Sequence, residues 1–116
     1  MVDQIKKRTK QLGIDIIKKT MMLPHGATSQ IIIKQIIRSS TAVGSNYRAA
    51  CIAKSRADMI NKLKIVEEEV DETIYWLEVM LEVGILSSEE FYKLKKEACE
   101  IMAITVASIK TLKAKI

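Results

Sequence analysis

The chain contains one proline, four glycines, two cysteines, one histidine and five aromatic residues among its 116 positions. Each shortage excludes something. With so few aromatics, a core must be built from Ile, Leu, Val, Met and Ala, a palette that favours helices packed on helices over a sheet sandwich. The glycines stand alone at positions 13, 26, 44 and 84, so no glycine-rich phosphate loop exists. Cys51 and Cys99 form no CxxC pair, and each falls within a helical pattern. Two buried, reduced thiols are the expectation. No serine or cysteine has a base at a recognisable catalytic spacing. The only histidine, His25, falls in a loop and has no Glu-x-x-His partner, so no metal site or cofactor is expected, and catalysis by a known constellation is not indicated.

No apolar run approaches the roughly 20 residues that span a bilayer. The first ten residues are too charged to resemble a signal peptide, so a cytoplasmic protein without a membrane partner is expected.

What is present is a 48% hydrophobic chain of one-domain size, expected to fold as a single unit over residues 1–116. Its net charge of +5 is moderate, but the distribution is not uniform. Between Ile16 and Ala57 lie seven basic residues and no acid; from Asp58 to Glu90 there are ten acids against Lys62 and Lys64. Such blocks give different elements different electrostatic faces.

Apolar spacing predicts four helices. The first runs from about Asp3, its N-cap, to Met22, with Ile5, Leu12, Ile16 and Ile17 inward, and Leu23, Pro24, His25 and Gly26 break it. The second starts at Thr28 or Ser29 and continues to about Lys54 on a stripe of Ile33, Ile36, Ile37, Ser40, Val43, Tyr47 and Ala50. Gly44 lies inside that pattern at a cost of about 1 kcal/mol relative to Ala, which close approach of another helix would offset. The third runs from near Ser55 to about Val83, where Gly84 ends it. Its seam of Met59, Leu63, Val66, Val70, Thr73, Leu77 and Met80 alternates by four and three. The fourth opens at Ser87 or Ser88 with Glu89 and Glu90 in its first turn, and its stripe is Phe91, Leu94, Ala98, Ile101, Thr105 and Leu112. The expected fold is all-α, an antiparallel up-down four-helix bundle.

Two surfaces remain once the core is filled. On the second helix Lys34, Arg38, Thr41, Ser45 and Arg48 align at i, i+4, i+7, i+11 and i+14, a stripe of cations and hydroxyls suited to phosphates. A solvated face, or one neutralised by nearby acids, is the competing reading. The like-charged pairs Glu67–Asp71 and Glu68–Glu72 on the third helix call for such cations. On another side of the second helix, Gln35, Ser39, Ala42, Asn46, Ala49 and Ala53 are small enough for close packing. In the second half of the third helix, Tyr75, Trp76, Val79 and Val83 point away from the seam and are assigned to a subunit interface, with Trp76 inside the bundle as the alternative.

Four segments carry a resemblance: RSSTAVGSNYRAA at 38–50, KSRADMINKL at 54–63, ETIYWL at 72–77 and GILSSEE at 84–90. In this order they resemble the four-helix bundle proteins related to the 23S rRNA intervening-sequence protein, and the likeness covers nearly the whole chain. Members are encoded within insertions in bacterial 23S rRNA genes or elsewhere in genomes, and the resemblance implies a homopentameric ring. The family is also similar to the accessory variability determinant of diversity-generating retroelements, a basic pentamer that binds nucleic acid and a reverse transcriptase. Asn46, Tyr47 and Arg48 match the family's Asn-Tyr-Arg motif; Ala49 stands where an acid commonly follows, so no salt bridge centred there is implied. The expectation is an oligomer that binds structured RNA or DNA through phosphates, and the alternative is a scaffold ring that docks a polymerase-type protein. No aromatics interleave the basic stripe, so base stacking is not the expected mode.

Overall fold

In the computed structural model, which describes residues 2–23 and 25–115, four antiparallel helices form an all-α bundle. They are α1 (Val2–Met21), α2 (Ala27–Cys51), α3 (Arg56–Glu82) and α4 (Ser88–Ala114). Each helix packs on its neighbours in sequence and α4 returns to α1, the lightest of the four seams. The bundle measures 49 × 22 × 20 Å. Its longest helices, of 27 residues, span about 40 Å of the long axis at about 1.5 Å per residue. The predicted break between the first two helices is in place, although Pro24 itself lies outside the described residues.

The core follows the predicted stripes closely. Leu12, Ile36, Val43, Leu63, Val66, Val70, Leu77 and Ile101 are shut off from solvent. The differences are local. Ile60 takes the buried place assigned to Met59, Ile109 replaces Leu112, and Ile17, Ile37 and Leu94 are only half-buried. Most buried hydroxyls turn inward on the backbone. Thr9 donates to the Ile5 carbonyl at 2.9 Å and Thr105 to the Ile101 carbonyl at 2.8 Å. On α3, Thr73 donates to Ser39 of α2 at 3.0 Å, so the small-residue side of α2 does admit a neighbouring helix. No buried side-chain nitrogen or oxygen among the described residues lacks a partner.

The helix ends show what capping chemistry predicts and where it misleads. Ser55 accepts from the Asp58 amide at 3.1 Å, and Ser87 forms a full capping box with Glu90. At the α3 terminus Gly84 adopts φ +81°, which lets the Ile85 and Leu86 amides reach back to the Met80 carbonyl at 2.9 and 3.1 Å. At α2 the expected caps Thr28 and Ser29 lie inside the helix. Gly26 is the N-cap and offers no side-chain bond. The helix also stops at Cys51, where the Ile52 and Ala53 amides close onto the Ala49 and Ala50 carbonyls.

The thiols correct an expectation. Both cysteines are free, but Cys51 is only partly buried and Cys99 is exposed. Cys99 follows the buried Ala98 by one residue, and a 100° step turns it off the core stripe.

Candidate nucleic-acid interface

Two glycines set the geometry of the α1–α2 seam. A Cβ at Gly44 would lie 3.2 Å from the Lys10 Cα, the Lys10 amide nitrogen and the Thr9 carbonyl oxygen. At Gly13 it would meet the Ser40 carbonyl oxygen at 3.3 Å and the Thr41 Cα at 3.4 Å. Each helix therefore presses its backbone onto the other at a glycine, and this is the close approach that the mid-helix glycine required.

Along this seam runs an open groove of about 610 Å³. Lys6, Lys7 and Lys10 line it from α1, and Thr41, Ser45 and Arg48 from α2. Ile14 and Ile17 give the rest of the α1 wall an apolar character, and no acid lines the groove. None of its four cations has an ion-pair partner among the described residues. The Thr41 hydroxyl donates to the Ile37 carbonyl at 2.7 Å, and the Ser45 hydroxyl points to the Ala42 carbonyl at 3.4 Å. Each hydroxyl oxygen keeps lone pairs but sends its proton to its own helix.

The predicted basic stripe is thus divided. Lys34, Arg38, Thr41, Ser45 and Arg48 are all exposed, but only the last three line the groove. Lys34 stands outside it without an ion pair among the described residues. Arg38 turns the other way, to α3, where it reaches both Glu69 oxygens at 3.3 Å and bonds Glu72. The neutralised-face reading therefore holds for Arg38 alone. The two carboxylates push its guanidinium further above its ordinary value, Glu72 contributing most. In turn Arg38, aided by the Trp76 Nε1 bond, holds the Glu72 carboxyl below its usual range. Lys6, Lys7 and Lys10 were not singled out in the sequence. The signal was there in Gly13 and Gly44, since an antiparallel pairing of these helices puts each glycine against the other backbone and sets the three lysines beside Arg48.

The predicted interface residues also divide. Tyr75 and Val83 are 54% and 58% exposed, whereas Trp76 and Val79 are half-buried against the core. Trp76 packs edge-to-face with Tyr75 at 5.0 Å and donates to Glu72 at 3.2 Å, the carboxylate that Arg38 also holds. The apolar face on α3 is consequently smaller than helical spacing alone predicts.

On its other flank α1 is tied to α4 by charge. Arg8 meets Glu97 through Nη2 at 2.6 Å and Nε at 3.0 Å, and Glu100 at 2.9 Å. Lys19 bonds Glu90, whose carboxyl is held below its ordinary range by Lys19 first and Ser87 second. Burial pushes the Tyr47 phenol up, with Cys51 adding to it. Among the described residues no group of three or more His, Cys, Asp or Glu is placed to hold a metal ion, and no helix is long and apolar enough to cross a membrane. His25 lies exposed between α1 and α2.

The same architecture is found in a solved structure from Bacteroides thetaiotaomicron, described as a protein of unknown function from the S23 ribosomal protein family. It is 33% identical to this chain with a TM-score of 0.88, over 95% of this chain and 99% of that one. No curated protein matches the chain. The family profile described as 23S rRNA-intervening sequence protein matches residues 3–107, and with those helices, caps and motifs in place the chain belongs to that family.

Proposed function

We propose that this chain is a non-enzymatic, oligomeric nucleic-acid-associated protein of the cytoplasm, and that it holds the phosphates of structured RNA or DNA in the α1–α2 groove. The acid-free lining carries this reading: Lys6, Lys7, Lys10 and Arg48 face one cleft with no internal counter-charge. A cleft lined by one sign of charge focuses its field and draws in a polyanion. No aromatic side chain lines the groove, which favours contact with the backbone over base stacking. The family's description names an rRNA-linked sequence, in keeping with a nucleic-acid partner. A pentameric ring, as the resemblance implies, would repeat the groove around its axis and multiply the field of a +5 chain.

The test is a titration of a structured RNA and of a DNA duplex across salt concentration. Affinity is expected to fall linearly in logarithmic terms, with a slope of about 0.9 per phosphate neutralised on a duplex. A flat salt response, or no binding by the purified protein, overturns the proposal.

A second reading is favoured by exposed Tyr75 and Val83: a scaffold that docks a polymerase-type protein partner such as a reverse transcriptase. In that case Tyr75→Glu with Val83→Glu removes assembly or docking while a polyanion still binds. If assembly mass is unchanged in the double variant, these two residues are not the interface.

A further inference from the structure

The cations and the hydroxyls of the groove offer a ligand different chemistry. Lysine and arginine carry only donors, so the four cations suit phosphate oxygens, which only accept. No carboxylate, carboxamide or imidazole lines the groove, and the main-chain carbonyls at this level lie within the α1 and α2 ladders. A hydrogen-bond donor that enters therefore has three side-chain oxygens to meet, those of Thr9, Thr41 and Ser45. Thr9 is fully buried, which leaves Thr41 and Ser45.

Both have already committed their protons. The Thr41 hydroxyl is shared between the Ile37 and Arg38 carbonyls, at 2.7 and 3.3 Å, and Ser45 points to Ala42. A carbonyl can only accept, so in each pair the hydroxyl donates and its lone pairs are what the groove meets. The Thr41 rotamer is also held from the α1 side. A Cβ at Gly13 would meet its Cγ2 methyl at 3.3 Å, so the bare glycine gives that methyl its place. The two hydroxyls stand one helical turn apart on the exposed face of α2, about 6 Å along the axis.

We infer that Thr41 and Ser45 read the sugar, accepting hydrogen bonds from ribose 2′-hydroxyls while the cations hold the phosphates, so that the groove takes RNA in preference to DNA. This reading depends on nucleic acid occupying the groove and names its class. A phosphate oxygen could bind either hydroxyl only by drawing its proton off the helix carbonyl. A 2′-hydroxyl donates to a free lone pair and leaves that bond in place. It is also the donor that the ribose backbone has and the deoxyribose backbone lacks. The preference therefore follows the sugar and not the base sequence.

The experiment takes one hairpin sequence as RNA, as DNA and as 2′-fluoro RNA, and titrates each with the full chain at about 0.1 M ionic strength. The fluorine keeps the RNA helical form and removes the donor. RNA should bind about fivefold or more tightly than either of the others, the worth of one hydrogen bond. In Thr41→Val with Ser45→Ala, RNA should bind no better than 2′-fluoro RNA. Thr41→Ser, which keeps the hydroxyl, should retain the preference. Equal binding of RNA and 2′-fluoro RNA by the unaltered protein overturns the inference, and so does a preference that survives the double variant. Because the first comparison needs no substitution, it decides even if a variant misfolds. The two proposals fail separately. Equal, salt-dependent binding of all three hairpins sinks the sugar preference and leaves the phosphate contact standing, whereas binding of none sinks both.

Discussion

The two flanks of α1 are joined to the bundle by different means. On the α2 side, Gly13 and Gly44 let two backbones touch, and the lysines above that seam are left without partners. On the α4 side the seam is thinner and cations bridge it, with Arg8 on Glu97 and Glu100, and Lys19 on Glu90. What decides is the charge on the facing helix: α1 meets α2 with cations only, whereas α4 offers α1 carboxylates. The same contrast operates within α2. Arg38 faces the acids of α3 across a closely packed seam and is a strut. Arg48, about three turns on, faces the lysines of α1 and has no ion-pair partner among the described residues.

Widening the close seam should have the largest effect. Gly44→Val sets a branched side chain against main-chain atoms of α1 that have little room to move. A loss of about 1–3 kcal/mol is expected in denaturant unfolding, and a neutral result would mean that α1 shifts freely. Next is the free charge. Lys7→Glu, Lys10→Glu and Arg48→Glu together should lower affinity for structured RNA by roughly tenfold or more, about 1.4 kcal/mol, with helicity unchanged. Unaltered binding in this variant places the site elsewhere.

The struts should respond in the opposite sense. Arg38→Glu puts a third carboxylate beside Glu69 and Glu72, so it should reduce stability by about 1 kcal/mol while RNA affinity changes less than in the groove variant. If it instead abolishes RNA binding in a stable protein, the division of α2 into strut and free cation is wrong. Arg8→Ala should cost less than about 1 kcal/mol, and the loss should shrink as salt is raised, because both partners are a third or more exposed.

The smallest expected effect is on acid stability. Glu72 is held below its ordinary, unfolded value by Arg38, chiefly through their hydrogen bond. Its contribution is therefore complete above that unfolded value and is lost as pH falls through the depressed folded value. The gap in melting temperature between the unaltered protein and Arg38→Ala should close over that acidic window. A gap that persists at the acid end would mean that Arg38 acts through packing and not through charge.

Much of the bundle is legible in the chain because burial follows period. The predicted α3 seam is buried from Leu63 to Met80 and departs only at its first member, Met59, where Ile60 is buried instead. Ser55, Gly84 and Ser87 mark boundaries by local capping chemistry. Thr28 and Ser29 have the same capping chemistry, yet the helix starts two to three residues earlier, with Gly26 in the extended N-cap backbone and no side-chain cap. Trp76 shows another limit, that of the helical wheel. A wheel shows that the residue leaves the seam, but not that it is half-buried against the core while its indole donates to Glu72, the carboxylate that Arg38 of another helix also holds.

The sequence by itself determined four amphipathic helices, their order and the segregation of charge into a basic first half and an acidic third helix. Those are properties of residue spacing along one chain, and they need only the helical repeat to be read. Tertiary structure decided which charges are free. Whether a lysine or arginine is a strut or a binding group depends on what stands within about 4 Å of it across a helix seam. At the α1–α2 seam two glycines set that distance, and the charges they bring together are all basic.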